Sequence, residues 1–122
     1  IKNLLVNPIE RVYKKRFSVK VGQHLKLINI EDIECFYSEN KGTYAFSDGR
    51  NYLLDTTLEQ LELELEPQQF FRISRKFYVN INAIKDMIHY TNSRLQIKLN
   101  TFNDQEVIVA RERVKEFKDW LQ

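Results

Sequence analysis

The chain is divided into short runs in which apolar and polar residues alternate, and turn residues stop each run before it grows long. RFSVKV sets Phe17, Val19 and Val21 against Arg16, Ser18 and Lys20, and Gly22-Gln23 turns it into HLKLI. Ile33, Cys35 and Tyr37 continue as a strand, and beyond ENKG the segment TYAFSDGRNYLL reads as a second hairpin closed by Asp48-Gly49. FYVNINAI alternates Phe77, Val79 and Ile81 against Tyr78, Asn80 and Asn82; RLQIKL follows a turn at Asn92-Ser93, and EVIVA follows a polar loop at Asn100 to Gln105. Two segments break the period. In DTTLEQLELELEPQQ the run Leu61 to Leu65 would suit a strand. Capping-box spacing of Thr56 and Glu59, one face shared by Leu58, Leu61 and Leu65, and a stop at Pro67 decide for a helix. RERVKEFKDWLQ carries Val114, Phe117 and Leu121 on one helical stripe with Trp120 beside it. The expectation is a mainly β fold of about eight to ten short strands in antiparallel sheets with two or three short helices. Residues 16–122 form the domain. Residues 1–15 are a lead-in, either a helix starting at Asn7-Pro8 with Ile9, Val12 and Tyr13 on one face or a linker from an upstream domain.

Several function classes are set aside by what the chain lacks. At 122 residues it is long enough for one core without a staple, and Cys35 alone can build neither a disulfide nor a cysteine-based zinc site. A single cysteine in the setting IECFY suits a small core residue in the cytoplasm. No apolar run is long enough to cross a bilayer, and the start IKNLLVNPIER has no cleavage pattern; without an initial Met it reads as part of a longer chain. His24 and His89 stand far apart without acids at metal-ligand spacing, three glycines are too few for most phosphate cradles, and Asp32 with Glu34 reads as a solvated strand face. Catalysis, metals, cofactors, membranes and small-molecule substrates are not expected.

Charge gives the positive lead. The net charge of +2 hides seven cations against one acid in residues 1–30, two against ten in residues 31–66 and ten against six in residues 67–122. Such segregation permits a basic face on a nearly neutral molecule, or separate solvated surfaces with no partner. The sharpest local feature is FFRISRKFYVN, Phe70 to Asn80, where large apolar residues surround Arg72, Arg75 and Lys76 without an acid. Ser74, Arg75 and Lys76 stand at the entrance of the strand through Phe77 and Val79, where side chains reach outward from a rigid base. Two further polar segments could join them: ENKGT, and VARERVK at the handover from the last strand to the last helix. Arg111 and Arg113 at a helix start oppose its dipole unless a phosphate is near. Otherwise Glu112 and Glu116 pair locally with Arg113 or Lys115.

The order of these pieces resembles a known family. A strand ending in ENKGTY, a DG hairpin, a short TTLEQLE helix, FFRISRKFYVNINAI and a VAR strand end leading into a helix together resemble the LytTR DNA-binding domain of bacterial response regulators. The resemblance covers Arg16 to Leu121. It implies an elongated fold of small antiparallel sheets that binds double-stranded DNA by inserting loops into successive major grooves, as the output module of a two-component transcriptional regulator. It implies a preceding receiver domain and dimers on repeated sites. Carried over, the implied DNA-binding residues are Asn40, Lys41 and Thr43 from the first loop, Ser74, Arg75 and Lys76 from the second, and Arg111, Glu112 and Arg113 from the third. Lys76 and Ala110 stand where many members have Ser. Arg75 and Arg111 suit base edges, since a guanidinium bonds bidentately to guanine, and Lys41, Lys76 and Arg113 suit phosphates. Arg72 either pairs with an acid while packing on Phe71 or joins the presented cations; Asn80 is expected to bond backbone and hold the loop. Two other readings remain at this point: a β-rich interaction module with a basic face, and an RNA or single-strand binder stacking bases on Tyr44, Phe46 and Tyr78.

Overall fold

The computed structural model describes residues 12–122; the expected helix start at Asn7-Pro8 lies outside them, and Val12 to Lys15 have no regular structure. Among the described residues, no helix is long and apolar enough to cross a membrane.

The turn dipeptides lie where the sequence puts them. Strands β1 (Arg16–Val21) and β2 (His24–Asn29) form a two-stranded hairpin, with Gly22 at φ 63° supplying the positive φ that its tight turn needs. Strands β3 (Ile33–Glu39), β4 (Gly42–Ser47) and β5 (Arg50–Leu54) follow as a meander. Both of its turns, Asn40-Lys41 and Asp48-Gly49, have positive φ at both central residues, as a type I′ hairpin requires. Helix α1 (Leu58–Glu64) precedes β6 (Phe70–Arg72) and β7 (Phe77–Asn80), which complete a five-stranded antiparallel sheet of order β5-β4-β3-β7-β6. Strands β8 (Ile84–Tyr90), β9 (Arg94–Leu99) and β10 (Val107–Val109) form a three-stranded sheet. A 3-10 turn, Arg111–Arg113, leads into α2 (Val114–Trp120).

The five-stranded sheet is buried on both faces, so its alternation runs between two cores. Phe36, Ala45, Phe70 and Tyr78 face a core shared with the β1–β2 hairpin and α1. Cys35, Tyr37, Phe46, Phe77 and Val79 face a core shared with the three-stranded sheet and with Phe117 of α2. Phe36 is fully buried among Phe17, Phe70 and Tyr78 at tilted or edge-on ring angles. Truncating such a ring to alanine costs about 3–5 kcal/mol. Tyr78 and Phe46 are core residues, and Tyr44 stacks on Tyr37 with ring centroids 5.3 Å apart. Tyr78 and Phe46 are thus not platforms for bases, and the half-buried Tyr44 has one face already taken by Tyr37.

Three local expectations change. The α1 cap is Thr57, whose hydroxyl accepts from the Gln60 backbone N–H at 3.0 Å, one residue later than the Thr56 spacing suggested. The run FYVNINAI is not one strand: it breaks after Asn80 into a 3-10 turn, Ile81–Ala83. The cause is the Asn80 side chain. Its Nδ2 donates to the Ile33 carbonyl at 2.8 Å and its Oδ1 accepts from the Asn82 N–H at 2.9 Å, which ties the end of β7 to the start of β3 and bends the chain. Glu34, which read as solvated, accepts from both backbone N–H groups at Thr101 and Phe102 and from the Thr101 hydroxyl, joining the two larger sheets.

Candidate nucleic-acid interface

Three loops reach the same edge, and backbone contacts hold them there. The first is the β3–β4 turn, with Asn40 and Lys41 exposed. Both adopt left-handed backbone, at φ 49° and 67°. Asn tolerates this, whereas a lysine there is disfavoured by roughly 1–2 kcal/mol relative to its right-handed conformation. Thr43, expected in the interface, is only 6% exposed: the pleat turns it to the face of Ala45, into the protein.

The second loop, between β6 and β7, is built around an anchor and two turns of hydrogen bonding. Ile73 is fully buried and fixes the loop base. Ser74 Oγ accepts from the Lys76 N–H at 3.2 Å and the Phe77 N–H at 3.1 Å, so Ser74 shapes the loop in addition to standing at its edge. Arg72 grips the same loop from behind: its Nε donates to the Ser74 carbonyl at 3.1 Å and its Nη2 to the Arg75 carbonyl at 2.9 Å. The guanidinium is held in turn by Glu62 at 2.5 Å and Glu59 at 3.0 Å, both on α1. Partial burial pulls the Arg72 pKa down, but the bonds from Glu62 and Glu59 outweigh it and raise the pKa, so Arg72 stays charged.

The third loop is the handover from β10 to α2. Ala110 N–H donates to the Ile73 carbonyl at 2.9 Å, which seats this junction against the second loop. Arg113, expected on a phosphate, is committed to the protein. Its Nε and Nη2 donate to the Arg72 carbonyl at 3.1 and 3.0 Å, its Nη1 pairs with Glu116 at 2.9 Å, and its guanidinium lies 4.7 Å from the centre of the Phe71 ring. Arg111 and Glu112 remain exposed beside it.

The first and second loops are joined similarly. Ser38 N–H donates to the Lys76 carbonyl at 3.0 Å, and Lys76 Nζ stands 3.8 Å from Glu39. Second and third loops also share one concavity, where Arg75 and Glu112 meet Ser74, Arg72 and Arg113. Asn40 and Lys41 instead line a neighbouring groove with Lys14 and Lys20 of the first hairpin region, cations that motif reasoning passed over. Among the described residues, Lys41, Arg75 and Arg111 have side chains in no ion pair or hydrogen bond, while Arg72, Lys76 and Arg113 each meet an acid. The edge thus presents three uncommitted cations on a hydrogen-bonded scaffold, a combination suited to a polyanion.

Residues 23–122 match the sequence profile of the LytTr DNA-binding domain. The chain belongs to the LytTR family. Its relatives include the transcriptional regulatory protein YpdB of Escherichia coli K12, 32% identical over 116 residues covering 93% of this chain and 47% of YpdB. The sensory transduction protein LytT of Bacillus subtilis is 24% identical over 87% of this chain and 43% of its own length. The chain therefore spans about half the length of the curated relatives it matches. A solved LytTr DNA-binding domain from Bacillus cereus superposes with a TM-score of 0.80 at 21% identity, covering 88% of this chain and 97% of that one. The LytTR fold of small antiparallel sheets with two short helices is the one described above.

Proposed function

We propose that this LytTR domain reads double-stranded DNA through the three loops, each entering the major groove, and serves as the output module of a two-component-type transcriptional regulator. In the whole protein a receiver domain would precede residue 16, and two copies would occupy repeated sites. Arg75 and Arg111 take base edges, where a bidentate bond to guanine is worth roughly 1–3 kcal/mol of discrimination. Glu112, beside Arg111, accepts from a cytosine amine, and Asn40 bonds the adenine edge or the backbone. Lys41 and Lys76 neutralise phosphates, Lys76 exchanging its long contact with Glu39 for a DNA oxygen. Ser74 and Arg113 shape and brace the loops, and Thr43 fills the strand behind the first.

The observation carrying this reading is the pairing of a fixed backbone with free charge: Ile73 and Lys76 carbonyls bind the neighbouring loops, while the Arg75 and Arg111 side chains make no hydrogen bond or ion pair among the described residues. A solvated basic surface has no need of such bracing. Arg75→Ala and Lys76→Ala, each checked for native stability, test it by titration against duplex DNA and against an acidic peptide at matched salt. Weakened duplex binding in either supports the site. Unchanged duplex affinity in both removes the second loop from it, and equal affinity for peptide and duplex favours a general acidic partner.

A further inference from the structure

Two carboxylates stand where a DNA-binding edge should avoid them. Glu59 and Glu62 project from α1 toward the concavity that holds Arg75, with side chains 73% and 45% exposed, and negative charge near phosphate weakens binding. Their common partner accounts for the position. Every nitrogen of the Arg72 guanidinium is occupied: Nε by the Ser74 carbonyl, Nη1 by Glu62, and Nη2 by the Arg75 carbonyl and Glu59. Its side chain is 17% exposed. With four of its five N–H donors taken and two carboxylates offsetting its charge, so enclosed a cation is poorly suited to hold a phosphate. What it can do is fix two successive carbonyls of the loop, and with them the direction in which the Arg75 side chain leaves the backbone.

We infer that Arg72, oriented by Glu59 and Glu62, is a positioning residue that sets the sequence discrimination of the Arg75 loop without touching DNA. This rests on the DNA-binding reading proposed above. The physical basis is preorganisation. A bidentate arginine–base contact needs its fork aligned, so a loop free to sample other orientations loses the difference between right and wrong bases faster than it loses general attraction to the duplex. The acids on α1 trade some non-specific affinity for that alignment. Helix α1 thereby belongs to the specificity apparatus although it contributes no DNA contact.

The test compares specific and non-specific duplexes, the specific one taken from selection on the unmodified domain. Glu59→Gln with Glu62→Gln removes two negative charges at exposed positions of a helix that glutamine suits. Non-specific affinity is expected to rise, and the ratio of specific to non-specific affinity to fall at least about fivefold, roughly 1 kcal/mol. Equal gains on both duplexes overturn the inference, since the acids would then act only through their field. Arg72→Lys keeps the charge and loses the fork. Its expected signature is weaker specific binding with an unchanged salt slope, and no further loss of specificity when Arg75→Ala is already present. Arg72→Gln, made together with Glu59→Gln and Glu62→Gln, removes the charge along with its two acids, and a slope reduced by about 0.9 relative to the Glu59→Gln, Glu62→Gln variant would make Arg72 a phosphate contact. A specificity loss that adds in full to that of Arg75→Ala would make its role general stability. Either result overturns the inference alone, whereas an Arg75→Ala variant that binds specific DNA normally removes the DNA-binding reading of this loop and the inference with it.

Discussion

Replacing Asn80 with alanine removes two hydrogen bonds from a side chain that is 1% exposed, and the buried Ile33 carbonyl has no water to turn to. The Ile33 carbonyl loses its donor at the point where β3 enters the central sheet, and the Asn82 N–H loses the acceptor that starts the 3-10 turn. A net hydrogen bond is worth about 1 kcal/mol, and leaving a buried group unpaired costs about 1–3 kcal/mol. The Ile33 carbonyl is deep and the Asn82 N–H near the surface, so the sum expected is about 2–4 kcal/mol. That corresponds to a fall in Tm on the order of 10–15 °C for a domain of this size. Asn80→Asp should be worse than Asn80→Ala, because it keeps the acceptor for Asn82, loses the donor to Ile33 and buries a charge. Urea denaturation followed by tryptophan fluorescence measures both, with Trp120 as the reporter. Two results refute the reasoning: a loss below about 1 kcal/mol for Asn80→Ala, which is the worth of a single exchangeable bond, or full stability with DNA binding abolished, which would make Asn80 a contact residue.

Other expectations separate stability from binding. Lys41→Gly relieves a left-handed lysine, so stability should hold or rise by up to about 1 kcal/mol, while DNA affinity falls and the log–log salt slope becomes shallower by about 0.9. Chemical denaturation and salt titration of the same sample report the two effects. Arg113→Ala loses charge-assisted bonds to the Arg72 carbonyl and its contact with Phe71, and should lower stability by about 2 kcal/mol with no change in salt slope; a shallower slope would return Arg113 to the phosphate. At high pH, Tyr78, pushed up to about 12 by burial, and Tyr37, also pushed up to about 12 by burial, should ionise late. Because the folded pKa lies above the unfolded value of about 10, this contribution to stability is complete below pH 10 and is lost as pH rises through about 10–12. Tyrosinate absorbance during alkaline unfolding checks it, and two tyrosines of ordinary pKa in the native protein would contradict the burial assigned to them.

Much of this fold can be read from local chemistry, and the part that cannot is equally local in cause. Gly22, Asp48-Gly49 and Asn92-Ser93 announce their turns because few residues accept positive φ, and each lies in one. The stripe Leu58, Leu61 and Leu65 is buried as its spacing requires. Asn80 was legible as a backbone-bonding residue, but its effect on FYVNINAI was not, since the partner is the Ile33 carbonyl, 47 positions away. Alternation also hides which face is which when both are buried: Phe77 and Tyr78 look like inside and outside, yet they enter different cores. At the candidate site the motif located the loops through their local sequence. It was silent on which arginines are free. Arg111 and Arg113 are two positions apart with the same side chain; one is exposed, and the other is held by the Arg72 carbonyl, 41 positions away. Arg72 likewise finds Glu59 and Glu62 through packing of α1 beside β6, and charge patterning along the chain does not determine such a pair. Thr43 differs from these, because its inward face follows from the period of two through Ala45 once the strand start at Gly42 is known.

The most direct test of a three-loop DNA reader is selection from a random duplex pool, run in parallel with the unmodified domain, Arg75→Ala and Arg111→Ala. The account predicts one enriched motif for the unmodified domain, relaxation at one guanine-containing position with Arg75→Ala and at a different position with Arg111→Ala. An unenriched pool, or the same motif retained by all of them, would contradict it.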